Sequence, residues 1–290
     1  MPDNNALINL GDLSKPATVL IEKVCNAVGV LYEPTRIRRQ ARAEVDAEKI
    51  KALARVELTS LQERAIERLV HQEERKQQNI EDITAQAAAQ LGANARAEEL
   101  DEDWVAHFFK QCETVSDKEM QSLWAKLLAG EATKPSTFSK RTIDFVASID
   151  KRDAALFTTL GQFVWSLGDP TPMIFDPNSD LLKKVGLSFT NLKHLDAIGL
   201  ISFESVAGYR AQQLSKHAVL LYFDRPVLLE FQQEANNNLD LGKALLTSIG
   251  QQLFSICGAE WNEEYFRSVL KQWRALGIKV TTPGYAEPEA

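Results

Sequence analysis

From Thr35 to Leu91 the chain carries neither glycine nor proline, and Ala, Glu, Arg, Gln and Lys dominate it. Intrinsic propensity therefore favours helix almost throughout. At 1.5 Å per residue, one continuous helix of that length would span on the order of 80 Å, wider than a compact domain of this size. Its apolar positions Ile37, Ala41, Val45, Leu53, Val56, Leu61, Ala65, Leu69 and Ile80 draw only a thin stripe. Helices gain most of their stability in proteins by packing an apolar face, so such a helix must find a partner. That partner is either a second copy of the chain or its own body after a bend near Thr59-Ser60. The heptads are too irregular, and too rich in Ala and charge at core positions, for a strict zipper. Charges such as Glu63 and Glu67 beside Arg64 and Arg68 most simply mean a solvated face, and a specific binding stripe is the sharper reading.

The densest concentration of helix start signals and aromatic anchors runs from Asp101 to Phe157. Trp104, Phe108 and Cys112, with Val105 and Phe109 alongside, recur at helical spacing, and Asp101 or Asp103 can cap the helix they define. Ser116 and Glu119 have the spacing of a capping box that opens a second helix. Met120, Leu123, Trp124, Leu127 and Leu128 share a face of it, and Gly130 stands where a left-handed residue would end it. A loop with Pro135 follows, then a helix capped by Ser139 through Ile143, Phe145, Val146 and Ile149. If Trp104, Phe108, Trp124 and Phe145 face inward, truncating each to Ala costs about 3–5 kcal/mol, the behaviour of a core and not of a catalytic site.

The run DEDWVAHFFKQCETVSDKEMQSLWAKLLAGEATKPSTFSKRTIDFV, with the N-terminal NLGDLSKPATVLIEKVCNAVGVLYEPTRIRRQARAEVDAEKIKALA, resembles the bacterial family labelled domain of unknown function 2806. The likeness continues through GLSFTNLKHLDAIGLI and LLTSIGQQLFSIC, and LWAKLLAGE before a serine-rich turn is its most specific part. The resemblance implies no established enzymatic activity, and relatives that resemble proteins of bacterial and prophage defence regions. It supplies no functional residue to carry over.

With 44% hydrophobic and 25% charged residues, the 290-residue chain has the composition of an ordinary globular protein with room for two domains. A net charge of −7 argues against dominant, nonspecific phosphate binding, which needs a surplus of Lys and Arg. Cys25, Cys112 and Cys257, odd in number and widely spaced, fit buried thiols in a reducing cytoplasm. The start MPDNNALINLGDL lacks the basic and apolar parts of a secretory signal. The longest apolar run, Ala218 to Phe223, is far short of the roughly 20 residues of a membrane span. A cytoplasmic protein is expected.

Between Pro16 and Pro34, Leu20, Val24, Val28 and Leu31 form one stripe of an amphipathic helix. The plain reading buries that stripe in the fold. The alternative is a membrane-surface helix, encouraged by the basic patch Arg36, Arg38, Arg39 and Arg42 but opposed by Glu44, Asp46 and Glu48.

After the core, Asp153 to Leu167 reads as a further helix, and Gly168-Asp169-Pro170 as a linker and domain boundary. A short helix from Asp180 to Val185 and a helix capped by Ser188 precede Leu200 to Glu204 and Tyr209 to Leu214, which read as a hairpin about Ala207-Gly208. Helix, turn, helix, hairpin is the order of a winged helix. In a nucleic-acid-binding version, Asn191, Lys193 and His194 would meet the major groove with Lys183 and Lys184 nearby, and Asp196 would oppose them. Beyond Pro226 come a strand over Val227 to Phe231, a loop at Asn236 to Asn238, a strand over Ala244 to Leu246, helices from Thr247 to Cys257 and from Glu263 to Leu276, and an edge strand over Ile278 to Val280.

No phosphate loop, dinucleotide fingerprint, zinc-protease motif or nucleophile elbow occurs. His107 and Cys112 lack a second ligand pair, and Glu260, Glu263 and Glu264 are accounted for by capping a helix. No catalytic residue, cofactor or metal ligand is expected. The expected architecture is mainly α with a smaller α+β part: a leader and amphipathic helix (1–34), a charged helical arm (35–91), a helical core (92–168), a winged-helix-like part (169–235) and C-terminal helices with a tail (236–290). The expected function is a non-enzymatic oligomerising or partner-binding protein, a sensor or scaffold in antiphage defence by its resemblance. The rivals are a winged-helix nucleic-acid-binding protein and a membrane-acting effector.

Overall fold

The computed structural model describes residues 14–29 and 59–285. The chain divides into two compact units, Met1–Ala147 and Ser148–Ala290. The division falls between Ala147 and Ser148, not in the Gly168-Asp169-Pro170 stretch. Among the described residues the fold is α-rich, with ten α-helices and antiparallel strands.

The first unit is helical. Helix α1 (Lys15–Val28) is capped by Ser14, tolerates Pro16 in its first turn, and ends at Gly29 in the left-handed region. Helix α2 (Ser60–Ala89) starts from a reciprocal box in which the Thr59 hydroxyl accepts from Gln62 N–H and the Gln62 side chain accepts from Thr59 N–H. Residues 35–58 of the expected arm lie outside the described residues. Helix α3 (Glu102–Cys112) is capped by Asp101, and α4 (Lys118–Thr133) by Asp117. The expected Ser116 cap is displaced because the Asp117 carboxylate takes the Glu119 and Met120 N–H groups, leaving Ser116 to accept from Arg75 Nε at 2.8 Å.

Gly130 also differs from expectation. Helix α4 runs through it to Thr133, because its missing side chain makes room for Phe138: a Cβ at Gly130 would lie 2.7 Å from the Phe138 ring. The core around it is aromatic. Phe108 stacks on Trp104 and meets Trp124 edge-on, both at 5.2 Å, and Trp104 Nε1 donates to the Phe138 carbonyl at 2.7 Å. Trp104, Phe108 and Trp124 are buried, whereas Phe145 of α5 (Lys140–Ser148) is only half-buried.

The second unit opens with α6 (Lys151–Gly161), shorter than expected because Val164–Leu167 is strand β1. The Gly168 segment is a tight turn at φ 77°, not a linker, and leads into β2 (Asp169–Pro172). Its prolines fit an edge, where missing N–H groups cost no ladder bond and blunt further pairing. Helices α7 (Asp180–Lys184) and α8 (Phe189–Ala197) follow, then β3 (Ile201–Phe203), β4 (Tyr209–Leu214), β5 (His217–Tyr222), β6 (Arg225–Glu230), β7 (Asn237–Gly242), β8 (Ala244–Leu246), α9 (Ser248–Phe254), α10 (Glu263–Ala275) and β9 (Lys279–Thr281).

A five-stranded antiparallel sheet runs β2-β1-β5-β6-β9, and helix α10 buries Phe266 and Trp273 against its Trp165 and Tyr222. The expected hairpin of β3 with β4 does not form. Strand β3 pairs with β8, whose Ala244 and Leu246 are buried like Ile201 and Phe203, while the polar β4 pairs with β7 through register shifts. Asn237 and Asn238, expected in a loop, belong to β7. The outer edge of β3 is closed by a side chain, since Phe203 N–H donates to Asp196 Oδ1 at 3.1 Å.

Candidate interaction surfaces

Helix α2 has two halves with different surroundings. From Asn79 onward it buries Ile80, Ile83, Ala87 and Ala88, and α4 packs along it. Polar ties begin just before that point: Arg75 to Ser116, Lys76 to Glu113 at 3.2 Å, Asn79 Nδ2 to the Glu113 carbonyl at 2.8 Å, and Lys118 to Asp82 at 2.7 Å. Hydrogen bonds that the Lys76 ammonium donates to Glu73 and Glu113 hold it above the ordinary lysine range. The preceding stretch, Ser60 to Arg75, contains no buried residue. Leu61 is 68% exposed, Leu69 57% and Ile66 36%. Among the described residues, Glu63, Arg64, Glu67 and Arg68 enter no ion pair.

The apolar face of α1 is packed within the first unit. Leu20 and Val24 are buried with Ala17 and Ile21 inside the first unit, where α1 lies against α3 and the 3₁₀ turn Ala97–Glu99. Val28 is half-buried. Leu20 and Val24 are thus taken up by packing within the first unit, where α3 lies against α1. Leu31 and the patch Arg36, Arg38, Arg39 and Arg42 lie outside the described residues. Among the described residues no helix is long and apolar enough to cross a membrane.

The residues proposed to meet nucleic acid all sit on or beside α7 and α8, and each is already engaged. Lys183 pairs with Asp180 at 3.1 Å and Lys184 with Glu264 at 2.6 Å. Lys193 reaches Asp196 at 3.4 Å and lies over the Phe203 ring, His194 contacts Asp153 at 2.6 Å, and Asn191 closes a capping box with Ser188. An acidic side chain stands next to every one of the four basic groups. A phosphate backbone would have to displace those carboxylates before gaining its own contacts.

Two features escaped sequence reasoning. The face of the five-stranded sheet away from α10 exposes Val219, Leu221 and Leu228, with Val219 opposite Leu228 in register. The unbroken apolar run hid this, because its alternation is visible only once Leu220 and Tyr222 are known to be buried. The second feature is polar: the Glu263 carboxylate accepts from Arg267 Nε at 2.7 Å, from Trp261 Nε1 at 2.8 Å and from the Tyr285 hydroxyl. The Tyr285 hydroxyl first, then Trp261 and Arg267, hold Glu263 below the ordinary glutamate range. Burial pushes the Cys112 thiol and the Tyr265 phenol up. Among the described residues no group of three or more His, Cys, Asp and Glu is placed to hold a metal.

No curated protein and no solved structure matches the chain. One family model does match, over residues 63–270, so that its boundaries fall inside α2 and α10 and the N-terminal run of the likeness lies outside the match. Those residues are most of the chain, and the chain belongs to the family described as protein of unknown function (DUF2806).

Proposed function

We propose that the protein acts by gripping another protein chain, a second copy of itself or a partner, through the exposed first half of α2, and that it is a sensor or scaffold, not a catalyst. The observation that supports the reading is Ser60 to Arg75, about four turns of helix with no buried residue and three exposed large aliphatic side chains. Extended from the packed half of α2, this stretch needs no nucleus of its own, and what it lacks is cover for its aliphatic side chains. Its capping box at Thr59 contributes on the order of 1 kcal/mol, too little to offset the ordering of so many residues. Burying the aliphatic face on another chain supplies what is lacking. The defence setting rests on family resemblance alone. Sedimentation equilibrium of the full chain tests self-association: the mass should rise with concentration, and a particle that stays monomeric throughout removes it.

A second reading is a winged-helix module within Ser148–Ala290. What favours it is the order helix α6, strands β1 and β2, helices α7 and α8, then β3 and β8 as an antiparallel pair, with Lys243 N–H beside β8 donating to the Ile174 carbonyl beyond β2 at 2.8 Å. In this reading β4 to β7 are an insertion between the two wing strands. The paired cations of α7 and α8 suit protein docking better than a nucleic-acid groove. A gel shift at low salt tests the latter use, and a clear shift would restore it.

A further inference from the structure

Asn79 and Gln121 are buried side by side where the packed half of α2 begins and α4 lies along it. Gln121 Nε2 donates to Asn79 Oδ1 at 3.0 Å and to the Val115 carbonyl at 2.9 Å, and Gln121 Oε1 accepts from Lys118 Nζ at 3.1 Å. Asn79 Nδ2 in turn donates to the Glu113 carbonyl at 2.8 Å and to Ser116 Oγ at 3.2 Å. Each side-chain amide therefore uses its nitrogen twice and has its oxygen engaged. Burying two such groups is costly unless all of these bonds form, so the pair fits one placement of α2 on α4.

The apolar side of the same interface is far less selective. Advancing α2 by four residues, about 6 Å along its axis, would bring Ile83 to the place of Asn79, Thr84 to that of Ile80, Ala87 to that of Ile83 and Ala88 to that of Thr84. All but Ile83 are smaller than the side chains they replace, and the Thr84 hydroxyl keeps its bond to the Ile80 carbonyl of its own helix at 2.7 Å. Such a shift loses packing volume but brings in no unpaired polar group. What it cannot do is serve Gln121, whose amide would face the aliphatic Ile83.

We propose that the Asn79–Gln121 pair is a register lock, which sets how many turns of α2 project from the body of the first unit and so presents Ser60 to Arg75 in one place. Fixing the register of packed helices is a role that buried polar side chains are known to serve. The use assigned to the lock rests on the reading of Ser60 to Arg75 as an interaction surface, while the lock itself belongs to the first unit alone. Both amides are positioning residues, since neither lies in the exposed half.

The test is NMR of the full chain with methyl-labelled isoleucine, because Ile80 and Ile83 are buried in the interface that would slide and report its register directly. Wild type should give one signal for each. Asn79→Leu with Gln121→Leu removes both amides at similar size; each of the two isoleucines should then give several signals, or one broadened by exchange, while circular dichroism remains helical. In sedimentation equilibrium the same variant should associate roughly tenfold more weakly than wild type, since its surface is no longer held in one place. If the double variant does not fold, Gln121→Met alone, close in volume, is read in the same way. A single sharp signal for each isoleucine in the folded variant overturns the lock and leaves the pair as ordinary structural support. Signals that multiply while wild type stays monomeric leave the lock in place and remove only the self-association reading.

Discussion

Replacing Leu61 and Leu69 together by Gln removes the largest exposed aliphatic surface of α2 without adding charge or lowering helix propensity much. Fully burying a leucine side chain is worth about 1.5–3 kcal/mol. Leu61 is 68% exposed and Leu69 57%, so a partner can still gain on the order of 2–4 kcal/mol from the two in each chain. In a two-fold pair both copies contribute, giving an upper bound of about 4–8 kcal/mol. Even if half of that surface is covered, the loss is about 2–4 kcal/mol, or at least a thirtyfold rise in the dissociation constant.

Sedimentation equilibrium of variant and wild type over the same concentrations reads this directly. The thermal midpoint of the isolated chain should barely move, since neither side chain is buried and surface changes are worth about ±0.5 kcal/mol. A double variant that associates as tightly as wild type would refute the reasoning, because the face would then not be the contact.

Three further outcomes follow from the structure. Gly250→Ala should destabilise by about 1–3 kcal/mol in urea despite better helix propensity, because its Cβ would sit 2.1 Å from the Leu200 carbonyl oxygen, a backbone atom. Glu131 accepts from Ser136 and Phe138 N–H and is held above the ordinary glutamate range by burial, partly opposed by those bonds. Its contribution to stability is therefore fully present below the unfolded pKa and declines as pH rises through the raised folded value. Glu131→Gln should lower stability by about 1–3 kcal/mol through the lost acceptor and abolish that decline, as followed by urea unfolding across pH. Leu20→Glu should unfold the first unit, because it places a charge in an apolar interior, while liposome flotation of wild type stays negative; flotation of wild type through α1 would contradict this.

The first unit was largely legible because its information is local. Asp101 as a cap, the spacing of Trp104 and Phe108, and the stripe of α4 are written within a few residues of where they act. Gly130 was misread for the opposite reason: its cause is Phe138, a close approach that no helical rule announces. The second unit was less legible because strand partners are distant in sequence. A hairpin between β3 and β4 is the shorter connection, yet the buried faces of Ile201 and Phe203 are matched by β8, some forty residues on. Helix α6 was overextended because Phe163, Val164 and Leu167 also satisfy a helical period. The α2 surface was half legible: its thin stripe could be read, but which turns lay on α4 and which stayed uncovered depends on where Asn79, Ser116 and Glu113 meet.

Charge alone does not identify an interaction surface; what matters is whether the fold has already satisfied it. Around α8 the basic groups look inviting in sequence, yet Asp180, Glu264, Asp196 and Asp153 stand against them, and a new anionic ligand would compete with bonds of 2.6–3.4 Å. In the first turns of α2, Glu63, Arg64, Glu67 and Arg68 enter no ion pair among the described residues, beside exposed leucines and an isoleucine. Exposed pairs are individually weak, so no single contact there could hold a complex. Affinity there must come from the aliphatic area of Leu61, Leu69 and Ile66. That is why Leu61 and Leu69 should govern how tightly the chain associates.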